Sequence, residues 1–139
     1  DLPEMIGQFG VGFYAAFMVA DKVVVDTMKR GTNEALRWES DMSGSYTISD
    51  SDRDFPGTSV TLYLREEHDE YFSTWRIKEL IKKYSDFITY PITCRDLDVP
   101  KDEKEEDRKT REENENQPLN TMVALWKRQK KDVKKYRFF

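Results

Sequence analysis

Along this chain the spacing of apolar residues changes once, from every second residue to every third or fourth, and that change limits the fold more than any other feature. Residues 21–28 (DKVVVDTM) alternate and are β-branched, which reads as a strand. Residues 29–33, with Gly31, supply a turn, and 34–40 (EALRWES) answer as the second strand of a hairpin. Residues 46–49 (YTIS) read as a short third strand. In 58–65 (TSVTLYLR), Val60, Leu62 and Leu64 fall on one face and Thr61 and Tyr63 on the other. Beyond Asp69 the period lengthens: Ile77, Leu80, Ile81 and Tyr84 make one helical stripe, closed by Ser85 and Asp86. Residues 87–94 (FITYPITC) are expected to form a fifth strand, with Pro91 at an edge or bulge. The expectation is an α/β chain with a mainly antiparallel sheet and helices layered on it.

The regular pattern stops near Arg95. Residues 101–116 (KDEKEEDRKTREENEN) hold eight acidic and five basic residues and no aliphatic one, so they have little apolar surface to offset the entropy of ordering. They read as a flexible interdomain linker, with an exposed, salt-bridged helix as the alternative. Hydrophobic character resumes at Leu119, Leu125 and Trp126, in too few residues to fold alone. The expected organisation is therefore a domain over 1–95, a charged linker over 96–118 and the start of a second domain over 119–139. The chain opens on DLPEM rather than methionine, which is expected of a processed product or a fragment.

Charge and cysteine content narrow the function classes. Net charge is −4, yet residues 127–137 carry seven basic groups and one aspartate, so the remainder is strongly acidic. An acidic body argues against general nucleic-acid binding. The single cysteine, Cys94, rules out an intramolecular disulfide and fits a reducing compartment. No apolar run reaches the length of a membrane span. A cytoplasmic protein without nucleic-acid or membrane partners is expected.

Gly7, Gly10 and Gly12 stand in GQFGVGF (7–13), directly before the apolar run FYAAFMVA (13–20), which is expected to be a short buried helix. A glycine turn exposes successive N–H groups, and the first N–H groups of a following helix are unpaired and carry partial positive charge. Such a junction suits phosphate. The spacing fits neither a Walker A loop nor the dinucleotide fingerprint, so a phosphate site and a plain tight turn both stay open.

The segments IGQFGVGFYAAFMVADKV (6–23), LRWES (36–40), GTSVTLYL (57–64), RIKELIKKYSDFITYPI (76–92) and LNTMVALWKR (119–128) closely resemble, in order, the heat-shock protein 90 family of molecular chaperones. The short linker resembles the bacterial members. The resemblance implies an ATP-dependent chaperone of the stress response that assists protein folding, forms a homodimer and acts on partly folded clients. It implies the two-layer ATPase sandwich shared with gyrase, histidine kinases and MutL, with 1–95 as the later part of the ATP domain and 119–139 as the start of the middle domain. It also implies an ATP-binding set: Gln8, Gly10, Val11 and Gly12 along the phosphate loop, Phe13 lining the nucleotide pocket, and Thr58 holding the adenine through water. Magnesium is implied as well, but the family's catalytic glutamate, its magnesium-binding asparagine and its D-x-G-x-G segment have no match here, so this chain is expected to be inactive in hydrolysis alone. A non-catalytic module that self-associates through an exposed sheet is the other reading.

His68 stands among Glu66, Glu67, Asp69 and Glu70 and reads as part of a solvated helix start rather than a metal ligand. Cys94 reads as an inert core residue, and Trp38, Tyr63 and Trp75 as packing. The basic, aromatic tail (Trp126, Tyr136, Phe138, Phe139) reads as part of an incomplete domain rather than a nucleic-acid or membrane binder.

Overall fold

A computed structural model of the chain describes Gly7, residues 9–97, Val99 and residues 102–123. The chain divides into two compact units, Asp1–Asp69 and Glu70–Phe139. Readings on Gln8 and on the tail beyond Val123 fall outside the described residues.

The first unit holds β1 (Ala20–Met28), β2 (Ala35–Ser40), β3 (Thr47–Asp50) and β4 (Gly57–Leu64), in the antiparallel order β3-β2-β1-β4. All four strands sit within a residue or so of where alternation put them. Register sorts the two faces. Val25 pairs with Trp38 and Val60, and Trp38 with Ile48, so one face is apolar. Asp26, opposite Arg37 and Ser59, belongs to the other, polar face. The buried apolar residues are few: Ala20, Val23, Val24, Met28 and Ala35, all on β1 or the strand beside it. Leu36, Ile48, Val60 and Leu62 on the apolar face stay substantially exposed.

On the face of Asp26 ion pairs stand beside the buried Val24, Met28 and Ala35. Arg37 donates through Nε and Nη2 to the Asp26 carboxylate at 2.9 and 3.1 Å, and Ser51 Oγ donates to the same carboxylate at 2.6 Å. These bonds hold the Asp26 carboxyl below its usual pKa, Arg37 contributing most. Because the folded state holds the proton less tightly, the stabilisation is complete above the ordinary carboxylate range and is lost as pH falls through the folded-state value. Urea midpoints measured from neutral to acidic pH should drop on this account, and Asp26→Asn should flatten that part of the profile while lowering the neutral-pH midpoint.

Gly57 opens β4 with φ +132°, a backbone region that side chains rarely enter. An added Cβ would lie 2.9 Å from Arg53 Nη2. That atom belongs to a movable side chain, so the backbone sets most of the cost. Gly57→Ala is expected to destabilise the first unit by about 1–2 kcal/mol in urea denaturation.

The glycine-led run is helical, but as a 3₁₀ helix, Val11–Met18, and it is not buried. Val11, Tyr14 and Met18 are largely exposed. The run is apolar nearly all round, so composition singles out no face; Phe13 and Phe17 reach the sheet at Trp38.

In the second unit α1 (Thr74–Tyr84) carries the expected stripe and is capped by Ser73, whose hydroxyl accepts from the Arg76 N–H. Trp75 is 71% exposed, so it is not the packing residue expected of it. The expected strand over 87–94 does not form. Pro91 has no N–H, and the neighbouring backbone groups of Ile88, Tyr90 and Ile92 bond to the side chain of Asn120 instead of to a strand. Residues 105–115 form α2 (Glu105–Glu115), which is the salt-bridged alternative to an unstructured charged stretch. Its pairs include Lys109–Glu105, Arg108–Glu112 and Arg111–Glu115, all at i,i+4. Cys94 is half-buried. No helix among the described residues is long and apolar enough to cross a membrane.

Candidate functional site

The glycine turn has a defined shape. Gly10 adopts φ 67° and ψ 1°, the left-handed conformation that glycine enters without a side-chain clash, and its N–H donates to the Gly7 carbonyl at 3.0 Å. The Gly10 N–H is thus engaged within the turn. Val11 and Gly12 follow as the first two helical positions, whose N–H groups have no acceptor inside the helix. No side chain caps this end.

Phe13 leads from the turn into an aromatic cluster. Its ring meets Phe17 at 6.0 Å and Trp38 at 5.6 Å between centroids, both edge to face. Tyr46 stacks on Trp38 at 6.1 Å. Together with Tyr14, Ser40 and Met42 these four rings line a cavity of about 520 Å³. Among the described residues its walls carry no carboxylate, lysine, arginine or histidine. The site can accept a flat, largely apolar ring.

Thr58 lies on the same sheet face, but it is not part of the cavity wall. Its hydroxyl is 2.8 Å from that of Thr27, which also donates to the Gly57 carbonyl at 3.4 Å. The structure therefore brings Gly10, Val11, Gly12 and Phe13 together through chain continuity, and leaves Thr58 beyond the cavity wall.

Three contributors were not legible in the sequence. Phe17 and Tyr46 complete the aromatic wall; the i,i+4 spacing of Phe13 and Phe17 was a usable signal, whereas Tyr46 had none. Arg65 fixes the far end of the 3₁₀ helix. It donates to the Phe17 carbonyl at 3.1 Å and the Met18 carbonyl at 3.4 Å, and pairs with Asp21 at 2.9 Å. A cation on the last carbonyls of a helix is favourable, and here it anchors the element that carries Phe13. Among the described residues no group of three His, Cys, Asp or Glu side chains is placed to hold a metal, His68 included.

Residues 70–137 match the family model described as Hsp90 protein. The chain is 45% identical to chaperone protein HtpG of Geobacter sulfurreducens over 96% of its own length, and 45% identical to that of Shouchella clausii over 94%. Against chaperone protein HtpG of Gluconobacter oxydans the identity is 43% over 96%. The chain spans only 20–22% of the length of these curated relatives. It is thus Hsp90-family sequence, similar along nearly all of its length to the bacterial chaperone HtpG.

Proposed function

We propose that this chain is part of an ATP-dependent molecular chaperone of the HtpG kind and carries its phosphate loop. The observation that supports the reading most is the 45% identity to HtpG over 96% of the chain. The geometry agrees with it in two respects. A left-handed glycine leads directly into a helix start, which suits a phosphate oxygen. The adjoining aromatic cavity has the walls a planar base needs.

In this reading Val11 and Gly12 donate backbone N–H groups to the phosphates, and Gly10 shapes the turn and donates after releasing Gly7. Gln8 belongs to the same loop, Phe13 borders the nucleotide and Thr58 contributes to holding the adenine. ATP supplies the energy of a conformational cycle, in which contact with the terminal phosphate orders the loop and biases a two-state clamp. The described residues provide no magnesium site, so the ion's ligands and the hydrolytic base would come from other parts of the longer protein. Partly folded proteins are the proposed clients, a homodimer the proposed assembly, and the cytoplasm the proposed location. Residues 1–95 would close the ATP domain, 96–118 would link, and 119–139 would open the middle domain. The sandwich shared with gyrase and MutL is the proposed parent fold.

Titration calorimetry with ATP and ADP tests this reading on two proteins, the present chain and a form lengthened upstream to match its relatives. Weak or absent binding is expected for the first and clear binding for the second. Equal binding by both, or none by either, would overturn the assignment. A second reading, self-association through the sheet, is favoured by one observation: Leu36, Ile48, Val60 and Leu62 are 37–60% exposed on a single face. Light scattering that shows a monomer at high concentration would dismiss it.

A further inference from the structure

Arg65 stands where the end of β4 meets the end of the 3₁₀ helix. Its Nε donates to the Asp21 carboxylate at 2.9 Å, its Nη1 to the Met18 carbonyl at 3.4 Å and its Nη2 to the Phe17 carbonyl at 3.1 Å. Nη2 also donates to a less usual acceptor, the Met42 thioether Sδ, at 3.5 Å. The Arg65 backbone N–H closes the junction on the Val19 carbonyl at 3.0 Å. A thioether is a weak acceptor, so one donor of this guanidinium is aimed at a poor partner.

The loop that carries Met42 is fixed by its own bonds. Met42 adopts φ 65°, in the left-handed region. Its N–H donates to Ser40 Oγ at 3.4 Å, and that hydroxyl donates to the Ser45 carbonyl at 2.8 Å. The Ser43 N–H donates to Asp41 Oδ1 at 3.1 Å. The loop is therefore shaped without the methionine side chain. Met42 is 52% exposed and borders the aromatic cavity beside Phe17 and Trp38, so its sulfur is within reach of small solutes.

We propose that Met42 is an oxidation site whose sulfoxide is captured by Arg65. The oxidant class is a hydroperoxide, in the simplest case hydrogen peroxide. A sulfur lone pair attacks one peroxide oxygen, the S–O bond forms and the O–O bond breaks. Sulfur gives up two electrons, and the departing hydroxide takes the proton of the transferred hydroxyl and leaves as water. A thioether has two lone pairs, so the one turned away from Arg65 serves the attack. The product oxygen is a strong acceptor beside a guanidinium that already points at the sulfur, and such a charge-assisted bond is among the stronger ones. Oxidation thus tightens the loop onto the end of the 3₁₀ helix. Met28 is the contrast: it is buried in the sheet, where a sulfoxide would place polarity among packed apolar groups. The proposal does not rest on nucleotide binding, although the helix it tightens is the one that carries Phe13.

The test treats two proteins with hydrogen peroxide, the full chain and the same chain with Met5→Leu, Met18→Leu and Met122→Leu. Peptide mass spectrometry of the unsubstituted chain should find Met42 oxidised alongside Met18, which is 72% exposed, and ahead of Met28. In the leucine form, at a peroxide dose that leaves Met28 intact, hydrogen exchange at the Arg65 and Val19 amides should slow by about 3- to 10-fold. The amides of α1 should not change. Sulfoxide reductases acting on both epimers should restore the starting rates. Met42→Gln, whose side-chain carbonyl is a comparable acceptor, should slow the same amides without peroxide, and Met42→Leu should abolish the response. The unsubstituted chain and its Met42→Leu variant give the same comparison should the leucine form not fold. A Met42 that stays reduced while Met18 is fully oxidised would overturn the proposal. So would exchange that is unchanged or faster after oxidation, or a slowing that survives Met42→Leu.

Discussion

Val23→Asp is expected to unfold the sheet unit. Val23 is fully buried at the centre of β1, opposite Ser40 of β2 and Leu62 of β4. A carboxylate at that position would lose its hydration and find no cation on the apolar face, where the neighbours are Val25, Trp38 and Leu62. The penalty, about 3–5 kcal/mol, rivals the whole stability of a small unit. The buried apolar set of this unit is short, so little remains to absorb the loss. Val23→Ala keeps the site apolar and should cost only about 1–3 kcal/mol. Urea denaturation followed by near-ultraviolet circular dichroism separates the two. A Val23→Asp protein with the parent's midpoint would show that β1 is not the core of the unit.

Asn120→Leu should be the most damaging single change in the second unit. Leucine fills much of the space but bonds to nothing, leaving the Ile92 N–H and the carbonyls of Ile88 and Tyr90 without their partner. Buried polar groups left unsatisfied in this way should weaken the tie between residues 88–92 and Asn120 by about 2–4 kcal/mol. An exposed ion pair such as Arg108–Glu112, 3.9 Å apart, offers a contrast, because such pairs contribute less than about 1 kcal/mol. Hydrogen exchange at Ile92 measures the difference directly. If Arg108→Ala and Asn120→Leu sped that exchange equally, the amide would not be the main tie.

Much of the fold was legible because burial imposes a period. Val60, Leu62 and Leu64 announce a one-faced strand, and Ile77, Leu80, Ile81 and Tyr84 a one-faced helix, wherever they occur. Residues 87–94 show the limit of that argument. Their composition suits a strand, but a strand also needs a neighbouring backbone, and here the partner is a side chain 28–32 residues away. The α2 helix escapes for the opposite reason: it has no apolar face to mark it, and the spacing of its Glu, Lys and Arg residues supports a helix without requiring one.

At the candidate site the same division holds. The glycine turn, the helix after it and the family resemblance could all be read from consecutive letters, since a left-handed turn and a helix start are local events. The resemblance also named Phe13 and Thr58, but not the surroundings in which they stand. That Phe13 meets Trp38, that Tyr46 completes the wall and that Thr58 bonds to Thr27 depend on strand register, which aligns residues far apart in the chain. Sequence alone determined the strands, the stripe of α1, the glycine junction and the family. Tertiary structure decided which aromatic rings share a cavity and which side-chain amide holds residues 88–92, because a hydrogen bond or ring contact needs two partners and local sequence supplies only one.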